Sequence, residues 1–101
     1  MSSKRLKSKA GAGAKESAQL FAALGDETRL HLVTRLCDDG PMSVTKLTER
    51  SGLTRQAISK HLRVMQRVGL IQNLKQGRES VWRLDRRRLK HARRYLDLIS
   101  K

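Results

Sequence analysis

The sequence is poor in the residues that mark secreted or membrane-anchored proteins. Its 101 residues include one cysteine, Cys37, so an internal disulfide is excluded. No apolar run is long enough for the core of a signal peptide or for a membrane span. Phe, Tyr and Trp occur once each, which is too few for a surface that stacks nucleic-acid bases. These absences predict a soluble, cytoplasmic protein with no membrane partner.

Patterns typical of enzymes and metal sites are also absent from the sequence. The three histidines, His31, His61 and His91, stand 30 residues apart and show no ligand spacing. There is no glycine-rich phosphate loop and no nucleophile paired with a base. We therefore expect no enzymatic activity, no cofactor and no bound metal. Cys37 falls on an apolar helical stripe beside two aspartates, which favours a buried, inert thiol over a redox switch.

Acidic residues are few compared with basic ones. Nine Asp and Glu stand against 23 Lys and Arg, and the formal charge of +14 favours a polyanionic partner. Residues 1–15 contain five bases and no acid, with few large apolar side chains, and this composition predicts a disordered basic arm. Residues 16–101 are then a single domain. Its core is thin, because only 24 of the 101 residues are Leu, Ile, Val or Phe.

Helical periodicity dominates the first two thirds of this domain. Leu20, Phe21 and Leu24 share one helical face from Glu16 onward, and Asp26 can cap a second helix that ends at Asp39-Gly40-Pro41. The expected inward stripe of that second helix is Leu30, Val33, Leu36 and Cys37. Caps at Ser43 and Thr54 then predict two more helices, over 43–51 and 54–69. Short helices joined by Gly52-Leu53 are typical of a helix-turn-helix.

The fourth helix has an apolar and a polar face. On a helical wheel, Ile58, Leu62 and Met65 fall within the apolar arc, together with His61, which we interpret as a packed, hydrogen-bonded residue. The opposite arc and the capping residue are the predicted DNA contacts. Near the start of the helix these are Thr54, Arg55, Gln56, Ser59 and Lys60, expected to meet base edges, and further along they are Arg63 and Arg67, expected to hold phosphates.

After Gly69 the periodicity changes to two residues, which predicts a β-hairpin. Its tip, 75–79, presents Lys75, Gln76 and Arg78 and can reach the DNA backbone or the minor groove. Trp82 and Leu84 share a face and are interpreted as core. The chain then returns to helix, where Leu89, Ala92, Leu96 and Ile99 form a seam that needs a partner. The predicted fold is a mostly α winged helix-turn-helix of the order α1-α2-α3-α4-β-hairpin-α5.

Three segments resemble the ArsR/SmtB family of winged-helix repressors: ALGDETRLHLVTRL at 23–36, LTERSGLTRQAISKHLRVMQRVGLI at 47–71 and GRESVWRLD at 77–85. The resemblance implies a homodimer that binds a palindromic operator in double-stranded DNA and represses transcription. It implies contact through the first and last helices, where the expected interface residues are Leu20, Phe21, Leu89, Ala92, Tyr95, Leu96 and Ile99.

The metal-sensing motifs of that family do not carry over to this sequence. The start of the third helix, 42–47, has no thiol, and the last helix is too basic to favour a dication. The chain is in this respect similar to a subgroup of autoregulators, whose signal is a partner protein, another ligand or negative feedback. Two other functions stay open: a nonspecific architectural DNA-binding protein that depends on the arm, and a sensor that responds to a ligand or to oxidation of Cys37.

Overall fold

Four of the helices in the described part of the protein begin at residues that supply a capping side chain. A computed structural model describes residues 13–100, which form five helices and three strands in the order α1-α2-β1-α3-α4-β2-β3-α5. The helices are α1 (Ala14–Leu24), α2 (Glu27–Asp39), α3 (Val44–Thr48), α4 (Arg55–Arg67) and α5 (Arg86–Ile99). The caps are Asp26 for α2, Ser43 for α3, Thr54 for α4 and Asp85 for α5, each accepting a backbone N–H of the first turn at 3.0–3.2 Å.

Helix α1 starts earlier than the sequence predicts. It begins at Ala14, so Lys15, which we assigned to the basic arm, lies in the helix. Residues 1–12 of the predicted arm lie outside the described residues.

The strands are β1 (Met42–Ser43), β2 (Ile71–Gln76) and β3 (Glu79–Leu84), in the antiparallel order β1-β3-β2. The predicted hairpin is confirmed: its register runs from Ile71 opposite Leu84 to Gln76 opposite Glu79. Strand β1 was not predicted, because two residues are too few to show an alternating pattern. Met42 pairs with Trp82, so β1 joins the start of the helix-turn-helix to the base of the hairpin.

The core lies where α4 meets α1, α2 and the sheet. The predicted apolar arc of α4 is confirmed, since Ile58, Leu62 and Met65 are essentially inaccessible to solvent. Leu84 is buried in the same cluster, and Trp82 packs half-buried against it, as expected for core residues.

The predicted stripe of α2 was partly wrong. Leu30 is 52% exposed, whereas Leu32, which the stripe omitted, is 3% exposed. The buried face of α2 is formed by Leu32, Val33 and Leu36. At 100° per residue, Leu30 lies about 110° around the helix from the centre of that face, and Cys37 lies near its edge.

Two expected interface residues also belong to the core. Leu20 is 0% exposed and Ala92 is 4% exposed, so their side chains pack within the protomer and offer no surface to a second chain. Leu89 is half-buried and packs against the same core. The seam of α5 is therefore divided: its first half closes the protomer, and its second half, at Leu96 and Ile99, is exposed.

A pair of leucine substitutions tests this assignment of core and surface. Leu62→Ala should lower the free energy of unfolding by about 2–5 kcal/mol, because it leaves a cavity under α4. Leu30→Ala, on the exposed side of α2, should change it by less than about 0.5 kcal/mol. Urea denaturation at a fixed protein concentration measures both, and equal losses would contradict the burial pattern.

Candidate nucleic-acid interface

Helices α3 and α4 form a helix-turn-helix whose turn is ordered by a serine. Ser51 Oγ donates to the carbonyl of Thr48 at 2.7 Å and accepts the backbone N–H of Leu53 at 3.0 Å. Within this turn Arg50 and Gly52 both have positive φ, at 62° and 74°. These local contacts set the direction in which α4 leaves the turn.

Helix α3 is held to α2 by one guanidinium. Arg35 donates to the carbonyl of Leu47 at 3.0 Å and to that of Lys46 at 3.3 Å. These carbonyls lie at the end of α3, where the helix has no internal donors left to satisfy them. The contact therefore orients the shorter arm of the helix-turn-helix, and sequence periodicity gave no signal for it.

The predicted DNA contacts of α4 lie on one exposed side of the helix. Six of them are exposed, namely Thr54, Arg55, Gln56, Lys60, Arg63 and Arg67, and Ser59 is half-buried. The opposite side is anchored in the core, so the polar side chains point outward together. A small serine in the middle of this surface leaves room for close approach to a groove.

One residue of this surface is already positioned by α3. Arg55 Nη1 donates to the hydroxyl of Thr45 at 3.1 Å. Thr45 is exposed near the start of α3, ten positions earlier in the sequence. Sequence reasoning missed it, because only the crossing of the two helices brings these residues together.

The hairpin forms a wing with a basic tip. Gln76 pairs with Glu79, which leaves Gly77 and Arg78 as a two-residue loop. The positive φ of 64° is confined to Gly77, as in a type II′ turn, where glycine occupies the first loop position. Lys75, Gln76 and Arg78 are all exposed at the end of the hairpin.

A polar cluster ties the start of α2 to the inner side of α4. Arg29 Nη1 lies 3.2 Å from His61 Nδ1, and its Nε donates to the carbonyl of Ala23 at 2.6 Å. Because a guanidinium can only donate, His61 Nδ1 is the acceptor, which assigns the ring proton to Nε2. The side chain of His61 is 24% exposed, and the interpretation of a packed, hydrogen-bonded residue is confirmed.

Asp26 completes this cluster. Its Oδ2 lies 3.8 Å from His61 Nδ1 while the same carboxylate caps α2. The backbone N–H of Arg29 holds the pKa of Asp26 below its ordinary value of 3.8, and the nearby charge of Arg29 acts in the same direction.

The prediction that Cys37 is buried was wrong. It lies half-buried near the edge of α2, and Arg86 Nη1 approaches its Sγ at 3.4 Å. The same guanidinium donates to the Cys37 carbonyl at 3.2 Å, so the contact fixes the end of α2 to the start of α5.

Within residues 13–100, no three side chains of His, Cys, Asp or Glu come together as a metal ion would require. None of the helices in this part of the chain is both long and apolar enough to cross a membrane.

A helix-turn-helix followed by a basic β-hairpin defines a winged helix-turn-helix DNA-binding protein. The sequence matches a helix-turn-helix domain family over residues 24–72. The solved structure of an ArsR-like transcriptional regulator from Rhodococcus sp. RHA1 is 38% identical, with a TM-score of 0.80 over 88% of this chain and 83% of that one.

Two curated relatives agree with this. An uncharacterised HTH-type transcriptional regulator of Methanocaldococcus jannaschii, MJ1325, is 32% identical over 61% of this chain and 70% of its own length. The arsenical resistance operon repressor of Escherichia coli is 38% identical over 65% of this chain and 56% of its own. The chain belongs to the ArsR family of winged-helix transcriptional regulators, and the predicted fold class and family are confirmed.

The Asp26 cluster makes stability sensitive to acid. The pKa of Asp26 is lower in the folded protein than in the unfolded chain, so its contribution is complete above pH 3.8 and is lost as the pH falls through the folded value. Asp26→Asn keeps a good capping residue but removes the titration. The variant should therefore lose less stability than the wild type when urea midpoints are compared above and below pH 3.8.

Asp38→Asn, the same substitution at an exposed position of α2 that caps no helix, serves as the matched control. If Asp26→Asn and the wild type lose the same amount of stability in acid, Asp26 does not contribute this sensitivity.

Proposed function

We propose that the protein is a sequence-specific repressor that binds an operator in double-stranded DNA as a homodimer. The observation that carries the proposal is the two-sided α4: its apolar side is buried in the core and its polar side is exposed, and the helix packs against β2 of the hairpin that carries the basic tip. The E. coli relative is named as a repressor, which supports the same direction of regulation here. A location in the cytoplasm, and no enzymatic activity, follow from this role.

Different parts of the surface have different roles in this proposal. Residues at the start of a recognition helix meet base edges, which assigns base reading to Arg55, Gln56, Ser59 and Lys60. Arg55 is the best placed of these, because Thr45 holds its guanidinium and less conformational freedom is lost on binding. Arg63 and Arg67, later on the same side, and the wing tip would hold phosphates.

The proposed dimer uses the exposed end of α5. Leu96, Leu98 and Ile99 are 39–57% exposed. A single exposed leucine would need no explanation, but a group of exposed apolar side chains is typical of an interaction surface. Beside them, the rings of Phe21 and Tyr95 pack with centroids 6.4 Å apart and connect α1 to α5. This surface replaces the broader interface expected from the sequence, which included core residues. A two-fold dimer would place two α4 helices about 34 Å apart on successive major grooves.

DNA binding is tested with fluorescence anisotropy over a salt series, using the protein's own promoter and a scrambled duplex. The promoter should bind about 10³-fold more tightly or better. Equal affinities would instead favour the architectural alternative, in which the basic charge alone supplies binding.

Single substitutions distinguish base reading from phosphate contact. Arg55→Ala should reduce the preference for the promoter by about 1–3 kcal/mol, because it removes a base contact. Arg78→Ala should weaken both duplexes alike and lower the salt slope by about 1. If the two variants behave identically, the division of roles between helix and wing is wrong.

The dimer surface is tested by adding a charge to it. Leu96→Glu should shift the protein from dimer to monomer in sedimentation equilibrium, because a carboxylate buried in an apolar interface is strongly unfavourable. Leu53→Glu, the same substitution at an exposed leucine in the helix-turn-helix, should leave the dimer intact. A Leu96→Glu protein that remains dimeric would place the interface elsewhere.

A further inference from the structure

A cleft of about 430 Å³ opens between α2, the end of α3 and the turn that leads into α4. Its apolar lining consists of Leu32, Leu47, Leu53 and Ile58. Three of these belong to the rigid core, and the fourth, Leu53, is 38% exposed at the mouth. The volume lies within the range of about 300–1,000 Å³ that is typical of sites for small organic molecules.

The polar lining of this cleft carries net positive charge. Arg35 and Arg50 contribute two guanidinium groups against a single acid, Asp39, and the remaining polar lining residues are Thr28, His31 and Ser51. Arg35 is fixed by its hydrogen bonds to the carbonyls of α3. Arg50 is exposed, and within residues 13–100 its guanidinium makes no hydrogen bond or ion pair. The cleft thus combines an apolar floor with two guanidinium groups, and the side chain of Arg50 is free to engage a ligand.

The backbone at Arg50 is unusual. Its φ of 62° makes it the one non-glycine residue with positive φ in the described part of the chain. Such a conformation is disfavoured for residues with a side chain, and it marks places where the surrounding structure imposes a geometry. Here it belongs to the turn between α3 and α4, and the Arg50 side chain lines the cleft.

We propose that this cleft binds a small organic anion, a carboxylate with an aromatic or branched aliphatic body, and that the ligand regulates DNA binding. The body would lie against the leucines and Ile58, and the carboxylate would pair with Arg50 and Arg35. Guanidinium groups match carboxylates well, because two parallel N–H donors meet two oxygens. The regulatory part rests on the proposed function as a DNA-binding repressor.

The position of the cleft gives the expected sign of this regulation. Its lining residues Arg50, Ser51 and Leu53 lie in the turn that directly precedes Thr54 and the base-reading end of α4. An occupant fixes the spacing between this turn and α2, and its charge neutralises Arg50 beside the DNA surface. Ligand and operator therefore oppose each other, and each lowers the affinity of the other by the same factor.

The test uses 1-naphthoate as the probe and the full chain labelled with ¹⁵N. Titration followed by amide chemical shifts needs no DNA, so it examines the cleft independently of the proposed function. Saturable shifts should centre on the cleft, at His31, Arg35, Arg50, Ser51 and Leu53. The neutral analogue 1-naphthamide should bind about tenfold more weakly, the loss expected from one charge-assisted contact.

Two variants test the residues of the cleft. Arg50→Gly removes the guanidinium and suits the positive φ, so it should fold normally and bind 1-naphthoate about tenfold more weakly. Leu53→Glu places a carboxylate at the mouth and should abolish binding. Leu30→Glu is the matched control: it makes the same change at an exposed leucine of α2 outside the cleft and should bind as the wild type.

Absence of saturable shifts, or shifts centred on the exposed end of α5, would overturn the proposal, as would unchanged binding by Arg50→Gly. The regulatory part is examined by anisotropy on the promoter duplex, where saturating 1-naphthoate should weaken binding by the wild type and not by Leu53→Glu. Cleft binding with unchanged promoter affinity would overturn the regulation. Cleft binding by a protein with no promoter preference would support the ligand site and overturn the repressor function instead.

Discussion

The rest of the structure depends on the burial of one side of α4. Ile58, Leu62 and Met65 are buried in the core cluster, and through this side α4 packs against α1, α2, α3 and β2. Burial of these side chains is also what orients the polar side outward. A helix with a hydrophobic stripe and a charged opposite face cannot rotate in its site without exposing the stripe and burying charge, and both changes are costly.

Arginines perform two different tasks in this small basic protein. Arg29 and Arg35 are partly buried and donate to backbone carbonyls of neighbouring elements, so they position the helix-turn-helix. The arginines of α4 and the wing are exposed and surround the candidate DNA surface. The net charge of +14 therefore overstates the charge available to a polyanion, because part of it is used inside the fold. Two carboxylates are likewise used inside the fold, because Asp26 and Asp85 cap helices.

Sequence patterns predicted the helical core elements because their signals are local. Capping residues at 26, 43 and 54 and the stop at Gly40 act on adjacent backbone groups, and each was found where expected. The errors came from interactions between distant segments. The rotation of α2 that buries Leu32 instead of Leu30 is set by its neighbours, and β1 exists because Trp82 and Val81 of β3 offer it a partner strand. The assignment of Leu20 to an interface had the same origin. The sequence indicated its helix, but not that other parts of the same protomer cover its side chain.

Periodicity, caps and turn residues are properties of neighbouring positions, so they were enough to predict the helices, the hairpin and the polar side of α4, and the motifs that they form were enough to suggest the family. Tertiary structure decided which apolar residues remain exposed, how Thr45 reaches Arg55 and how Arg35 secures α3. It also decided that Arg35 and Arg50, fifteen positions apart, line one cleft beside the start of α4. Each of these depends on how helices cross, and helix crossing is fixed by packing over the whole core, which no local pattern encodes.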